Sequence, residues 1–273
     1  MSYQKEYITV LSIAGSDGSG GAGIQADLKT IAAHGCYGLS VITAITAQNT
    51  VGVTATHELP AAFIRKQFTA LAGDIGINAV KIGMLGSQEA AETVAELLRT
   101  LDGVPVILDT VLHSSSGKPL FPAEATASMK RDLFPLASLV TPNLPETATL
   151  LEMDRVPVTR NEVEEAALRL HHIGARSVLI KGGHGEDGFC RDCLLHEKEY
   201  HWFVNPKIMT NNSHGTGCTL SSAIASELAR GADMKSAVEK GISYTRYALQ
   251  AGASWRLGHG HGPLQHFPEG LFH

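Results

Sequence analysis

The chain is short of cysteine, of net charge and of long apolar runs, and each shortage excludes something. Its four cysteines, Cys36, Cys190, Cys193 and Cys218, are too few and too scattered over 273 residues for a disulfide scaffold. Reduced thiols and a cytoplasmic setting are therefore expected. A net charge of −5 and a pI near 6.2 give no electrostatic reason to expect nucleic acid or an acidic membrane as partner. No apolar run approaches the ~18 residues that a bilayer crossing requires. The opening MSYQKEYITVLSIAG lacks the basic start and small-residue cleavage site of a secretory signal. There is also no internal repeat, low-complexity tract or Pro/Ser-rich linker, so one domain over residues 1–273 is expected. Hydrophobic residues at 44% against 18% charged describe a globular chain with a substantial core. Glycine, at 28 residues, is somewhat abundant, which suits a backbone that must approach ligands closely at several loops.

Short β-branched runs alternate with longer amphipathic ones through the first two-thirds, the signature of an α/β fold with a mainly parallel sheet. Strands are predicted at Tyr7 to Ala14, Leu39 to Ala47, Ala79 to Ile82, Val104 to Asp109, Leu139 to Thr141 and Ser177 to Lys181. Helical spacing covers 24–34, 60–72, 88–100, 124–133 and 161–173. From Phe189 to Val204 the period changes to two around a charged turn at Glu197 to Glu199, an edge hairpin. Two helices, 215–229 and 233–251, and an irregular tail complete the chain. Ligands of such folds bind at the carboxyl ends of the strands, where most of the polar and glycine-rich segments fall.

Four segments carry chemistry. Cys190 and Cys193 have CxxC spacing, with His196 and His201 as further zinc candidates, but on a strand residues three apart face opposite ways. Two unrelated strand cysteines is the preferred reading. Gly15 to Gly23, GSDGSGGAG, contains the GxGxxG of dinucleotide-binding folds at Gly18, Gly20 and Gly23. The carboxylate that such a site needs ~20 residues later is missing, since TAITAQN offers only Gln48 and Asn49. A ligand-free strand-to-helix turn is the bland alternative; Asp27, one helical turn on, could instead accept a hydrogen bond from a substrate hydroxyl. No Walker A loop exists, because Gly117-Lys118 is followed by Pro119. Most informative is Asn211 to Leu220, NNSHGTGCTL, whose glycines flank Thr216 where a helix begins. Converging backbone N–H groups and the helix dipole would make an anion site there. The same field would lower the Cys218 pKa, so that a thiolate could take a proton from a substrate hydroxyl. A Cys218–His214 thiol hydrolase and a plain helix cap with a buried cysteine remain alternatives.

SGGAGIQADLKT (Ser19 to Thr30), SVITAITAQNT (Ser40 to Thr50), KIGMLG (Lys81 to Gly86), LDTV (Leu108 to Val111), TPNLPE (Thr141 to Glu146), KGGH (Lys181 to His184) and HGTGCTLSSAIA (His214 to Ala225) occur in that order. Together they resemble the hydroxymethylpyrimidine/phosphomethylpyrimidine kinases of thiamin biosynthesis and, by extension, the pyridoxal kinases. The resemblance implies a ribokinase-like fold with helices on both faces of the sheet, ATP as phosphoryl donor, Mg²⁺ as helper and a homo-oligomer, favouring a dimer. It further implies that Gly15, Asp27 and Gln48 bind the substrate ring while Met84 and Val111 line its pocket. Asp109 and Glu146 would organise the magnesium, with Asp109, Lys181 and His214 near the nucleotide. Gly215, Thr216, Gly217 and Cys218 would form the catalytic turn, Cys218 standing where sugar kinases of the wider fold use aspartate. The chain departs from the family at Gly18 (usually proline), at Ser115 (usually lysine, with Lys118 nearby) and at His259 (a lysine position beside His261). The lid segment after Val111, LHSSSGKP, lacks the second cysteine that some pyridoxal kinases place there, which favours the pyrimidine over the pyridine alcohol. A non-catalytic protein that binds thiamin precursors is the alternative outside enzymes.

Overall fold

A computed structural model describes residues 5–112, 126–183 and 188–268. Among the described residues nine strands form one sheet in the order β3-β2-β1-β4-β5-β6-β7-β8-β9. Six of them, β1 (Thr9–Asp17), β2 (Tyr37–Gln48), β4 (Ala79–Ile82), β5 (Val106–Leu108), β6 (Leu139–Val140) and β7 (Val178–Ile180), are mutually parallel. The edges are antiparallel: β3 (Val53–Glu58) on one side, β8 (Phe189–His196) and β9 (Glu199–Pro206) on the other. The expected mainly parallel sheet with an edge hairpin is present.

The inner strands are buried on both faces, so they read as apolar runs rather than as an alternation. Successive residues nevertheless part company. Val10, Ala79, Ile107, Leu139 and Leu179 pack on one face against Ile31, Leu220, Ile224 and Val238. Leu11, Val80, Leu108, Val140 and Val178 pack on the other, against Ile64, Val94, Leu133 and Leu170. Each fully buried aliphatic side chain contributes about 1.5–3 kcal/mol. Helices α1 (Gly23–Ala33), α7 (Thr216–Ala229) and α8 (Met234–Gly252) cover the first face. The second is covered by α2 (Ala61–Ala72), α3 (Gln88–Leu98), the short α4 (Thr126–Ser128) with its π-helical continuation to Leu133, and α6 (Arg160–Ile173). None of the described helices is long and apolar enough to cross a membrane.

Three differences from expectation have physical causes. β1 runs on to Asp17, three residues beyond Ala14, so Gly15 belongs to the strand and the glycine loop starts later. β3 went unforeseen because none of its VTATHE residues is buried, leaving no apolar face to mark it. α5 (Leu144–Leu150) is only seven residues long and is defined by its cap, since Asn143 and Glu146 form a reciprocal capping box. The 189–204 hairpin turns through Glu197 and Lys198, both with positive φ, the two-residue geometry that matches strand twist. There Cys193 is buried and Cys190 is not, and among the described residues no three His, Cys, Asp or Glu side chains cluster as metal ligands. The two are strand cysteines facing opposite ways. The segment with Ser115 and Lys118, and the start of the 124–133 helix, lie outside the described residues.

Candidate active site

Because β1, β4, β5, β6 and β7 are parallel, their carboxyl ends point the same way. Gly15 to Asp17, Gly83-Met84, Asp109 to Val111, Thr141 to Asn143 and Lys181 are therefore delivered to one end of the sheet. α7 begins there, and α1 starts beside it. A methyl group placed on Gly217 would stand 3.4 Å from both Asp109 Oδ2 and Lys181 Nζ, which seats the start of α7 directly on that ion pair. A groove of about 560 Å³ bounded by His34, Glu227, Arg230 and Tyr244 lies at the opposite ends of α1 and α7, away from these groups.

The turn that opens α7 has the amides the sequence called for. Gly215 sits at φ 86° as N-cap, and no side chain caps the helix. Thr216 N–H reaches Ser213 O at 3.3 Å, while among the described residues the N–H groups of Gly217 and Cys218 have no hydrogen-bond acceptor. Two orphan donors and the positive end of a 14-residue helix thus open beside the Asp109–Lys181 pair. The turn is held by the glycine loop: a side chain on Gly215 would collide with Gly21 O, and one on Gly21 with the His214 ring. His214 is itself buried, its Nε2 2.8 Å from Asp17 Oδ2 and 3.2 Å from Gln48 Nε2. Asp17 also accepts from Ser19 N, Ser19 Oγ and Ala22 N. Burial would raise the Asp17 carboxyl, but the hydrogen bonds from His214 and the loop outweigh it and bring it to about 2. Asp17 therefore staples the glycine loop to the turn that opens α7.

Asp109 follows β5. Its Oδ1 accepts from Lys181 Nζ at 2.9 Å and from Thr141 Oγ1 at 3.1 Å, and Ser221 Oγ of α7 stands 3.4 Å from Oδ2. Burial opposes its charge, but Lys181 and then Lys81 outweigh that and hold it below the usual carboxylate range. Glu146 is buried; it accepts from Asn143 N at 2.9 Å, Thr110 Oγ1 at 3.2 Å and Leu112 N at 3.4 Å. Burial pushes its carboxyl up, against the pull of Lys181 and with the push of Asp109. Two buried, mutually repelling carboxylates gain from a small hard cation. The donor set fits Mg²⁺, which takes oxygen ligands, keeps several waters and needs only one or two carboxylates.

Two expectations need correcting. Asp27 does not present an open oxygen to a substrate. It is 0% exposed, both oxygens lie 2.8 Å from the equally buried Lys81 Nζ, and Ser12 Oγ and Ser222 Oγ donate to it at 2.5 and 2.8 Å. Cys218 is half-buried beside these groups, but its thiol is not lowered by the helix field. Burial pushes it up to about 11, with Lys81 and an N–H···S bond from Gly23 pulling the other way. At rest the sulfur carries its proton.

The remaining expected residues surround this centre. Gly15 and Met84 are in close approach, a methyl on Gly15 coming 3.2 Å from Met84 Sδ. Gln48 ends β2 and meets His214, and Val111 stands half-buried two residues past Asp109. The tail folds back over the site: His214 bridges to Pro263, and His259 N donates to Thr50 Oγ1 at 3.2 Å. His259 and His261 are exposed. Asp17, Lys81, Ser222 and Thr141 were not singled out from the sequence. Lys81 carried one readable signal, a lone charge in the otherwise apolar strand AVKI.

Comparison with known proteins places the chain in one family. A family model described as phosphomethylpyrimidine kinase matches residues 17–265. The hydroxymethylpyrimidine/phosphomethylpyrimidine kinase of Escherichia coli is 44% identical over 260 residues, covering 95% of this chain and 97% of that one. The thiamine biosynthesis bifunctional protein ThiED of Geobacter sulfurreducens is 45% identical over 259 residues; the match covers 94% of this chain but only 52% of that protein. Among solved structures, a phosphomethylpyrimidine kinase from Clostridium difficile superposes with a TM-score of 0.77 at 40% identity, covering 87% of this chain and 97% of its own. The pyridoxal kinase of Staphylococcus aureus in complex with AMP-PCP and pyridoxal gives 0.87 at 30% identity, covering 97% and 95%.

Proposed function

The chain belongs to the phosphomethylpyrimidine kinase family, and from that premise we propose that it transfers the γ-phosphoryl group of ATP to 4-amino-5-hydroxymethyl-2-methylpyrimidine and then to the resulting monophosphate. The observation that carries this reading is the start of α7. Its Gly217 and Cys218 amides, unbonded among the described residues, sit at the helix start beside Asp109 and Lys181, an arrangement suited to charge on a phosphoryl group in flight.

In the first transfer the alcohol oxygen, and in the second a phosphate oxygen of the monophosphate, bonds to the γ-phosphorus as the bond from phosphorus to the bridging oxygen of ADP breaks. The Gly215 to Cys218 turn stabilises the equatorial oxygens, and Lys181 steadies the nucleotide phosphates. Asp109 and Glu146 would hold Mg²⁺, which would neutralise phosphate charge. Cys218, as the thiolate, accepts the hydroxyl proton. Because the resting thiol is protonated, it first gives its own proton to solvent water, and the resulting thiolate then takes the hydroxyl proton. Gly15, Gln48, Met84 and Val111 bind the ring. Asp27 acts from beneath the site rather than on the substrate.

The test is mass analysis of products formed with MgATP from the pyrimidine alcohol, its phosphate and pyridoxal. One phosphoryl group is expected on each pyrimidine, formed faster than pyridoxal phosphate; no ATP-dependent product from any of the three would remove the reading. Cys218→Ala is expected to lower kcat about 10²-fold or more with substrate KM nearly unchanged. The pyridoxal kinase likeness at TM-score 0.87 favours pyridoxal phosphorylation as the second reading, decided by the same rates.

A further inference from the structure

We propose that Lys81 is a positioning residue of the transfer site, a buried cation locked by Asp27 that favours the thiolate form of Cys218 as the substrate hydroxyl gives up its proton. The inference rests on the reading of Cys218 as proton acceptor.

β4 reads AVKI, and all four residues are buried, Lys81 completely so. An ammonium in the middle of a parallel sheet is expensive to desolvate and is tolerated only when paired. The pairing here is complete on the acceptor side. Asp27 takes Lys81 on both oxygens, Ser12 on Oδ2 and Ser222 on Oδ1. The cluster thereby joins β1, α1, β4 and α7. Ser222, one helical turn past Cys218, ties this pair to α7 close behind the turn that carries the thiol.

Lys81 also leans toward the site. A methyl on Gly83, the next residue on the same side of the chain, would come within 2.8 Å of Nζ, so the ammonium folds forward along the strand toward its carboxyl end. Four charged side chains act on the Cys218 sulfur: Lys81 from β4, Asp27 from α1, Asp109 from the end of β5 and Lys181 from the end of β7. The Gly23 amide, at the start of α1, donates to it as well. Burial resists a thiolate, and Lys81 is the largest influence opposing that resistance. When the hydroxyl O–H breaks and S–H forms, the negative charge leaves sulfur while the alcohol oxygen becomes bonded to phosphorus. Lys81 lowers the cost of having had that charge in place.

The experiment follows alkylation of Cys218 by iodoacetamide between pH 6 and 9, read by peptide mass, together with kcat and KM. Lys81→Met is expected to slow Cys218 alkylation about tenfold or more at pH 8 and to lower kcat with KM for both substrates little changed. Lys81→Arg keeps the cation and should stay within about threefold of the parent. Asp27→Asn removes an opposing negative charge, so alkylation should not slow. A merely structural pair would loosen in either variant and expose the sulfur, speeding alkylation in both. If Lys81→Met alone does not fold, Lys81→Met/Asp27→Asn removes both charges and should still alkylate slowly. Alkylation as fast as the parent's in whichever of these lacks the lysine overturns the proposal. Full activity of Cys218→Ala would instead sink the proton-acceptor reading while leaving the alkylation result standing.

Discussion

Glycine does two different jobs in the turn that opens α7. Gly215 has φ 86° and lies so close to Gly21 O that no side chain fits, whereas Gly217 has ordinary helical geometry and space for a methyl at 3.4 Å from Asp109 and Lys181. Gly215→Ala is expected to cost about 3 kcal/mol of stability, combining left-handed strain with overlap. Gly217→Ala is expected to leave stability within about 0.5 kcal/mol while lowering kcat about tenfold, because the methyl covers the space over the ion pair. Thermal melts beside initial rates separate the two. Asp109, Glu146 and Lys181 were named from the sequence only through the family resemblance; the parallel strands β5, β6 and β7 share their carboxyl end, and Glu146 reaches it from the capped start of α5. Lys81 and Asp27 were not legible as a pair, since 54 positions separate them and only the packing of α1 on the sheet closes that distance. The thiol of Cys218 was read in the wrong direction for a related reason. A helix start is a local feature that the sequence displays, whereas the burial that outweighs it is tertiary.

At the scale of elements, α5 shows how a short helix serves the site through its cap. Asn143 Oδ1 accepts from Glu146 N at 2.8 Å, and the Glu146 carboxylate returns to Asn143 N at 2.9 Å, so the cap also aims one of the two acids offered to magnesium. Asn143→Ala is expected to cost about 1 kcal/mol of stability and to raise the Mg²⁺ concentration needed for half-maximal rate severalfold. A magnesium titration of the rate at saturating ATP checks this; an unchanged requirement would mean that Glu146 needs no cap to hold its place. The apolar strands and the long amphipathic helices were readable from periodicity to within a few residues. β3 and α5 escaped it, the first because it lacks a buried face and the second because seven residues scarcely complete two turns.

Across the whole molecule, the C-terminal segment ties the site to the helical layer beneath it. His266 is 3% exposed; its Nε2 meets Thr219 Oγ1 of α7 at 3.2 Å, and its carbonyl accepts from Tyr244 of α8. Burial pushes its pKa down from 6.5 to about 4, with Lys29 adding to the shift. The folded chain therefore keeps His266 neutral down to about pH 4, while the unfolded chain takes up a proton near 6.5. Its contribution is fully present above pH 6.5 and is lost as pH falls toward 4, by about 3 kcal/mol in all. Urea unfolding at pH 7 and pH 4.5 should show this loss, and His266→Phe should flatten it; an equal fall in both proteins would place the acid sensitivity elsewhere. The sheet, with a core on each face, was legible as a class before any coordinates, because alternating strands and helices leave few other arrangements. Which helix ends would meet over Asp109 was not.

What the α7 amides bind decides whether this turn handles a phosphoryl group. The most direct measurement is a crystal structure with MgADP, aluminium fluoride and the pyrimidine alcohol, in which the fluoride mimics the phosphoryl group in transit. The fluorine atoms should lie about 2.7–3.1 Å from the Gly217 and Cys218 amide nitrogens, with Cys218 Sγ beside the alcohol oxygen. A fluoride group seated away from residues 215–218, with those amides turned to water or to the protein, would contradict it.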